Sequence, residues 1–204
     1  MQAFRNFRDY FMPQIFREAL GHDLPASDYF WAELPGGIVA ALAFGAARRF
    51  AEPLAALRWL HFLMAAGLTI LGAATALFAS GGVGIVAFYT LISVGLYLAY
   101  SVMGIGLYDR LIAASKVSGT CVGLTFVSDG LGYVATISIL LFKSFGSFHG
   151  SYLGFLKAFA LATSVGGVAL VAVSMTYFER KLATGMQADK AQRRTAPPDD
   201  GQHE

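Results

Sequence analysis

The sequence has few charged residues and almost no cysteine. Only 14% of its 204 residues are charged, while 56% are hydrophobic; a soluble domain carries about 25% charged residues. A water-soluble chain of this size could not bury so much apolar surface. Cys121 is the single cysteine, which excludes a disulfide within the chain. The composition therefore predicts a polytopic membrane protein surrounded by a lipid bilayer.

Signals for catalysis, metal binding and nucleic-acid binding are also missing. The four histidines have no metal-ligand spacing, and no nucleophile motif, Walker sequence or Cys–His pair occurs. The net charge of +2 is too small to indicate a nucleic-acid partner. We therefore expect no enzyme activity, no catalytic or metal-binding residues, no cofactor and no nucleic acid.

Five stretches are long and apolar enough to cross a membrane, since a hydrocarbon core about 30 Å thick needs about 20 apolar residues. They lie near 28–47, 59–79, 83–107, 120–142 and 153–178. The predicted fold is all-α, a transmembrane helix bundle in a membrane domain at 1–183. Residues 184–204 lack apolar periodicity, which predicts a disordered cytoplasmic tail.

The segment before the first span has a different character. In "FRNFRDYFMPQIFREAL", residues 4–20, the apolar side chains of Phe4, Phe7, Phe11 and Ile15 recur at helical spacing. Pro13 should kink or interrupt the helix because proline has no backbone donor. The segment is too charged to span a bilayer alone, so a short amphipathic helix at the membrane interface is predicted at 3–20.

The basic residues predict the orientation. Cytoplasmic loops are enriched in Lys and Arg, and with five spans one end of the bundle collects more of them than the other. This places the C-terminus in the cytoplasm and the N-terminal segment outside. The seven residues on the predicted cytoplasmic side are Arg48, Arg49, Arg58, Arg110, Lys116, Arg180 and Lys181. The four on the outer side are Arg5, Arg8, Arg17 and Lys143.

A carboxylate interrupts the fourth span. Asp129 lies in "LTFVSDGLGYVATISILLF", residues 124–142, where inserting it costs roughly 2.5–3.5 kcal/mol. Thr125, Gly132, Tyr133 and Thr136 follow at helical spacings of three and four, so this polar stripe should face protein or water instead of lipid. A neutral residue would pack there at lower cost, which makes Asp129 the leading functional candidate, accompanied by Thr125 and Tyr133.

The third span carries a matching polar stripe. Two such stripes facing each other across the bundle would line a cavity, with Tyr97, Tyr100 and Ser101 as candidate lining residues. The alternative is that these hydroxyl groups only hold helices together. The stripe consists of Ser93, Tyr97, Tyr100, Ser101, Gly104 and Tyr108.

Glu33 is the second carboxylate candidate, in "FWAELPGG" near the outer end of the first span. Pro35 frees backbone groups nearby. Glu33 could form an ion pair with either Arg17 or Lys157, or it could have a role in transport. The sequence does not favour one over the other.

Three stretches carry a family resemblance: "FRNFRDYFMPQIF", "YDRLIAASKVSGT" and "SDGLGYVATISILLFKSFG". They resemble an uncharacterised bacterial membrane family related to the major facilitator superfamily, in its C-terminal half. The resemblance implies that the five spans correspond to the eighth to twelfth helices. It also implies that the N-terminal segment is the outer end of the seventh helix, whose apolar part lies upstream of Met1. The stretch "GAARRFAEP", residues 45–53, departs from the superfamily's loop signature because it lacks the aspartate.

The resemblance implies one half of an MFS-like secondary transporter for a small solute in the bacterial inner membrane. Asp129 would then serve proton or cation coupling, or pair with a charged substrate. Such transporters bind substrate between two halves, so a second six-helix half is the expected partner, either another copy or a separate polypeptide. The alternatives are a non-transporting scaffold or assembly partner and a truncated reading frame without activity, with a membrane-embedded enzyme third.

Overall fold

All the secondary structure that the computed structural model describes is helical. It describes residues 1–47, 49–50, 52–102, 106–115, 120–145 and 150–195. The prediction of an all-α bundle is confirmed for these residues, whereas Arg48, Gly104 and Lys116 lie outside them. The helices are α1 (Gln2–Tyr10), α2 (Met12–Leu20), α3 (Ala26–Ala47), α4 (Pro53–Ala79), α5 (Ile85–Val102), α6 (Tyr108–Ser115), α7 (Cys121–Phe145) and α8 (Tyr152–Thr195).

Within the described residues, four helices are long and apolar enough to cross a membrane, which indicates a membrane-embedded protein. They are Leu54–Ala79, Ile85–Val102, Cys121–Lys143 and Tyr152–Lys181, and they match the second to fifth predicted spans. The first predicted span, 28–47, forms α3, which contains Asp28, Glu33 and Pro35. The crossing of the membrane by α3 stays a prediction.

The N-terminal segment forms two short helices. The chain leaves helical geometry at Phe11, with φ −106° and ψ 14°, and Pro13 then lies in the first turn of α2, where a missing backbone donor costs little. The predicted interruption is confirmed. The interfacial position is not found for α1, because Phe4 and Phe7 are fully buried and α1 packs against α7 and α8 inside the bundle.

The centre of the fold is the contact between α4 and α5. Gly67 and Gly95 face each other across it, so close that a Cβ on Gly67 would lie 2.8 Å from the Ala99 backbone nitrogen. Small residues at such a crossing let two helix backbones approach and gain van der Waals contact. α3 packs against α5, and α8 packs against α4.

The two ends of the bundle are named here by their short helices. At the α2 end lie α2 and the first turns of α3, α5 and α8, and at the α6 end lie α6 and the first turns of α4 and α7. α7 packs mainly against α1 and α6. Since α1 covers only the half of α7 nearer the α2 end, space remains beside the other half.

The last helix is longer than predicted. α8 continues to Thr195, beyond the predicted end of the span at 178 and into the tail expected to be disordered from 184. Its added residues are mostly Ala, Lys, Gln, Arg and Met, which have high intrinsic helix propensity. The lack of apolar residues at helical spacing in this segment therefore did not exclude a helix. Residues 196–204 lie outside the described part of the chain.

We predict that Gly67→Ala destabilises the bundle by about 1–3 kcal/mol, because the added methyl group would clash with backbone atoms of α5 that have no room to move. The measurement is thermal unfolding in detergent, followed by circular dichroism. Gly37→Ala is the matched control, since a Cβ at Gly37 in α3 meets nothing within 4 Å. Equal midpoints for the two variants would contradict the close approach.

Candidate functional site

A cleft of about 710 Å³ lies inside the bundle, within the range of about 300–1,000 Å³ typical of small-molecule sites. Side chains of α1, α4, α7 and α8 surround it, together with residues at the end of α5 and around the start of α6. Its polar lining consists of Gln2, His61, Tyr100, Tyr108, Thr125, Ser128, Asp129, Thr163 and Ser174.

Asp129 lies about one third of the way along α7. It is the ninth residue of α7, about 12 Å from the start of this helix at a rise of 1.5 Å per residue. Its side chain is half-buried and lines the cleft together with Thr125, one turn earlier. The structure therefore places both residues on a protein-lined space, the kind of surface that the sequence predicted for them.

Tyr133 leaves the predicted stripe. Its side chain is 56% exposed, and Tyr133 does not line the cleft. At 3.6 residues per turn, a residue eight positions after Thr125 is rotated by about 80°, so the stripe continues through Gly132 and Thr136 instead. Thr136 is buried and accepts a hydrogen bond of 3.0 Å from the side-chain nitrogen of Asn6 on α1.

The polar stripe of the third span does not face α7 as a whole. Tyr100 reaches the cleft, but Tyr97 lies near Glu33 on α3, and the partly buried Ser101 does not line the cleft. α5 packs against α3 and α4, while α1 packs against α7. The prediction that both stripes line one cavity is therefore right for Tyr100 and wrong for Tyr97 and Ser101.

A buried ion pair joins α1 to α3. The Arg8 side chain is 1% exposed, and its Nη2 lies 2.8 Å from Oε1 and 3.0 Å from Oε2 of Glu33. Arg8 also donates from Nε and Nη2 to the Asp9 carboxylate, at 3.1 and 2.8 Å. On the other side the hydroxyl of Ser93 donates to Oε2 of Glu33 at 2.8 Å. Three helices thus meet at one carboxylate.

Local packing explains this convergence. A Cβ on Gly36 would lie 2.7 Å from Oγ of Ser93, so this glycine lets α3 approach α5 closely enough for Ser93 to reach Glu33. The Arg8 guanidinium lies 5.1 Å from the ring centroid of Tyr89, a favourable cation–π distance. Nη1 of Arg8 is buried and has no hydrogen-bond partner among the described residues.

The two partners predicted for Glu33 were wrong, because both are engaged elsewhere. Arg17 lies in α2 and pairs with Asp23 at 2.6 Å; this hydrogen bond and the Arg17 charge hold the pKa of Asp23 below its ordinary value. Lys157 lies 5.9 Å from the ring centroid of Phe78. α1 packs inside the bundle instead of lying at the membrane interface, and this brings Arg8 to Glu33.

α1 connects the ion pair to the cleft. Gln2 lines the cleft, and the Arg5 guanidinium lies 4.7 Å from the ring centroid of Tyr100, which lines the cleft as well. Arg8 follows six residues after Gln2, about 9 Å further along the helix. One helix therefore carries polar side chains from the cleft towards the α2 end.

Arg8 and His61 are the site residues that the sequence interpretation missed. An available signal for Arg8 was the charge of Glu33 inside the first span, since a buried charge needs a partner. His61 gave no comparable signal, because its place on the cleft depends on how α4 packs against α8. In the described part of the chain, no three His, Cys, Asp or Glu residues are grouped so that they could hold a metal ion.

Comparison with known proteins identifies the family. A family model described as "Family of unknown function (DUF5690)" matches residues 1–181. A match over this length shows that the chain belongs to the DUF5690 family. No curated protein and no solved structure matches the chain.

We predict that Arg8→Met lowers the free energy of unfolding by about 3–5 kcal/mol, because it leaves the Glu33 carboxylate inside the bundle without its cation. The measurement is the unfolding midpoint in detergent. The double variant Arg8→Met/Glu33→Gln should recover a large part of the loss, since it removes both charges.

The control for this prediction is Arg17→Met, which removes the exposed Arg17–Asp23 pair. Arg17 and Asp23 are 65% and 54% exposed, and such surface pairs contribute about 0–1 kcal/mol. A double variant as unstable as Arg8→Met would show that the Arg8–Glu33 pair is not what holds α1 in the bundle.

Proposed function

We propose that this member of the DUF5690 family is part of a secondary transporter for a small solute and that the cleft beside Asp129 is the binding site. The observation that carries the proposal is a cleft of about 710 Å³ with an acidic side chain on its wall, inside a bundle of apolar helices. Ionisable residues within membrane helices usually mark ion or substrate pathways.

The depth of the cleft supports a transport role. Secondary transporters bind solute and coupling ion near the middle of the bilayer, and Asp129 lies about 6 Å from the midpoint of α7, on the side of the α6 end. Asp129 would bind a proton or another cation, or pair with a positively charged solute. Thr125 and Tyr100 supply hydroxyl groups at the same cleft for hydrogen bonds to the solute.

The resemblance to the C-terminal half of the major facilitator superfamily gives the proposed setting. In this setting α4, α5, α7 and α8 are spans of the second half, α3 is a further span, and the C-terminus is cytoplasmic in a bacterial inner membrane. The α6 end is then the cytoplasmic end and the α2 end faces outside, as the distribution of Lys and Arg predicts.

A scaffold or assembly partner is the second candidate function. It is favoured by α7, whose large apolar side chains are exposed along its length, among them Phe126, Leu131, Val134, Ile137 and Phe142. In this alternative Asp129 would bond to a partner helix instead of to a solute.

We predict that Asp129→Asn reduces solute-coupled proton movement at least about tenfold, because an amide cannot take up and release a proton. The assay uses vesicles that contain the purified chain and a trapped pH dye, challenged with a panel of sugars, amino acids, and organic anions and cations. Asp28→Asn is the matched control, since Asp28 is exposed in the first turn of α3. No solute response in the unmodified protein would favour the scaffold.

We also predict that the chain does not transport as a monomer and needs a second six-helix unit, in purified material a second copy. α7 packs mainly against α1 and α6, so its remaining faces are free to bind another unit, and covering them would close the cleft from lipid. The test is reconstitution at high dilution with subunit counting by single-molecule bleaching. A monomeric population that still moves solute would refute this prediction.

A further inference from the structure

A groove of about 670 Å³ lies on the exposed side of α8, near the α6 end of the bundle. Its described lining residues recur at spacings of one, three and four along the sequence, which places them on one side of this helix. None of these described side chains is acidic. The residues of this α8 groove are Ala172, Val173, Thr176, Tyr177, Arg180 and Lys181.

The α8 groove is apolar over its first part. Ala172 and Val173 are both exposed, and 68% of Val173 is accessible. Thr176 donates its hydroxyl proton to the carbonyl oxygen of Ala172 at 2.8 Å, so this hydroxyl group already has a partner inside the helix. These residues belong to an apolar stretch that ends at Lys181, and in a membrane such a surface is in contact with acyl chains.

The groove changes from apolar to cationic within about 12 Å, the rise over the eight residues from Val173 to Lys181. Tyr177 lies between them, and Nζ of Lys181 is 5.7 Å from the centroid of its ring. Tyrosine is enriched where hydrocarbon meets the headgroups, and the side chains of Lys and Arg near helix ends reach the headgroups. A phospholipid has the same order of groups: acyl chains, glycerol esters and phosphate.

The charge at this end of α8 is positive. The neighbouring carboxylate of Glu179 pairs with Arg58 of α4 at 2.8 Å, so a cation outside the groove compensates its charge. Basic segments that directly follow a membrane helix attract anionic lipids, and each cation near the surface contributes about fivefold in affinity. α8 continues through such a segment, whose cations are Arg180, Lys181, Lys190, Arg193 and Arg194 against the single acid Asp189.

We propose that the α8 groove binds one anionic phospholipid of the surrounding membrane. The phosphate group lies beside Arg180 and Lys181, the Tyr177 hydroxyl donates to an ester oxygen, and an acyl chain runs along the apolar part of the groove. A zwitterionic lipid binds more weakly, because its headgroup cation lies close to the same two basic side chains. The inference does not depend on the proposed transport, since it requires only that α8 is embedded in a membrane.

The experiment is native mass spectrometry of the full chain in detergent micelles, titrated with phosphatidylglycerol or with phosphatidylcholine. We expect one phosphatidylglycerol to bind at concentrations at which phosphatidylcholine does not. Arg180→Gln/Lys181→Gln should lose at least about tenfold of the affinity for phosphatidylglycerol and keep that for phosphatidylcholine. Lys181→Gln alone should lose about fivefold, and this single variant decides the matter if the double variant does not fold.

The matched control is Arg17→Gln/Arg49→Gln, which removes the same charge from two exposed cations outside the groove. It should keep the affinity of the unmodified protein for phosphatidylglycerol. An equal loss in this control would show that the lipid responds to the overall charge of the protein and not to the groove. Equal affinities for the two lipids, or full phosphatidylglycerol binding in Lys181→Gln, would also overturn the proposal.

Two further measurements test what occupies the groove. Ala172→Phe places a ring in its apolar part and should lower the affinity for phosphatidylglycerol, so an unchanged affinity contradicts the proposed lipid. Glycerol phosphate, which has no acyl chain, should not displace the lipid, and displacement would indicate a site for free phosphate instead. A lipid-free dimer that Arg180→Gln/Lys181→Gln dissociates would show that a second copy covers the groove, which also refutes a lipid there.

Discussion

The position of α1 in the bundle depends on the pairing of one buried cation with one carboxylate. A charge inside an apolar bundle is tolerated when a partner and hydrogen bonds compensate its loss of water, and Glu33 receives both from Arg8 and Ser93. Since Arg8 is on α1 and Ser93 on α5, the carboxylate fixes α1 against α3 and α5. α1 in turn contacts α7 through Asn6 and Thr136. The position of α7, and with it one wall of the cleft, follows from this pairing.

The cleft exists because α1 covers only part of α7. Gln2 packs against Gly132 so closely that a Cβ there would lie 2.8 Å from its Cδ atom, and nearer the α6 end the wall of α7 continues with Asp129 and Thr125. On the opposite wall small residues of α8, including Gly166 and Gly167, leave room. Gly167 allows Leu68 of α4 to pack against the α8 backbone. The space is thus bounded by small residues, with polar groups from facing helices directed into it.

Local periodicity was enough to predict most of the helices but not the contacts between them. Four long apolar helices of the described residues and the break near Pro13 followed from apolar length and backbone chemistry. The place of Asp129 on a protein-lined face followed from the cost of exposing it to lipid. The partner of Glu33 did not follow, because it depends on α1 entering the bundle, which its charged composition argued against. Tyr133 lies outside the stripe because, at 3.6 residues per turn, a residue eight positions after Thr125 points to a different side of the helix.

The polar features that stability alone would not favour lie along one connected path. A bundle selected only for helix association would be more stable with a filled cleft, since interiors gain from close packing, and with a neutral residue at Asp129. It would also not bury a donor that has no partner among the described residues, as Nη1 of Arg8 does. Features that lower stability, such as unfilled space and unpaired buried polar groups, are expected at functional sites. Here they follow α1 from the cleft to the ion pair, and this continuity gives the transport proposal more weight than Asp129 would give it alone.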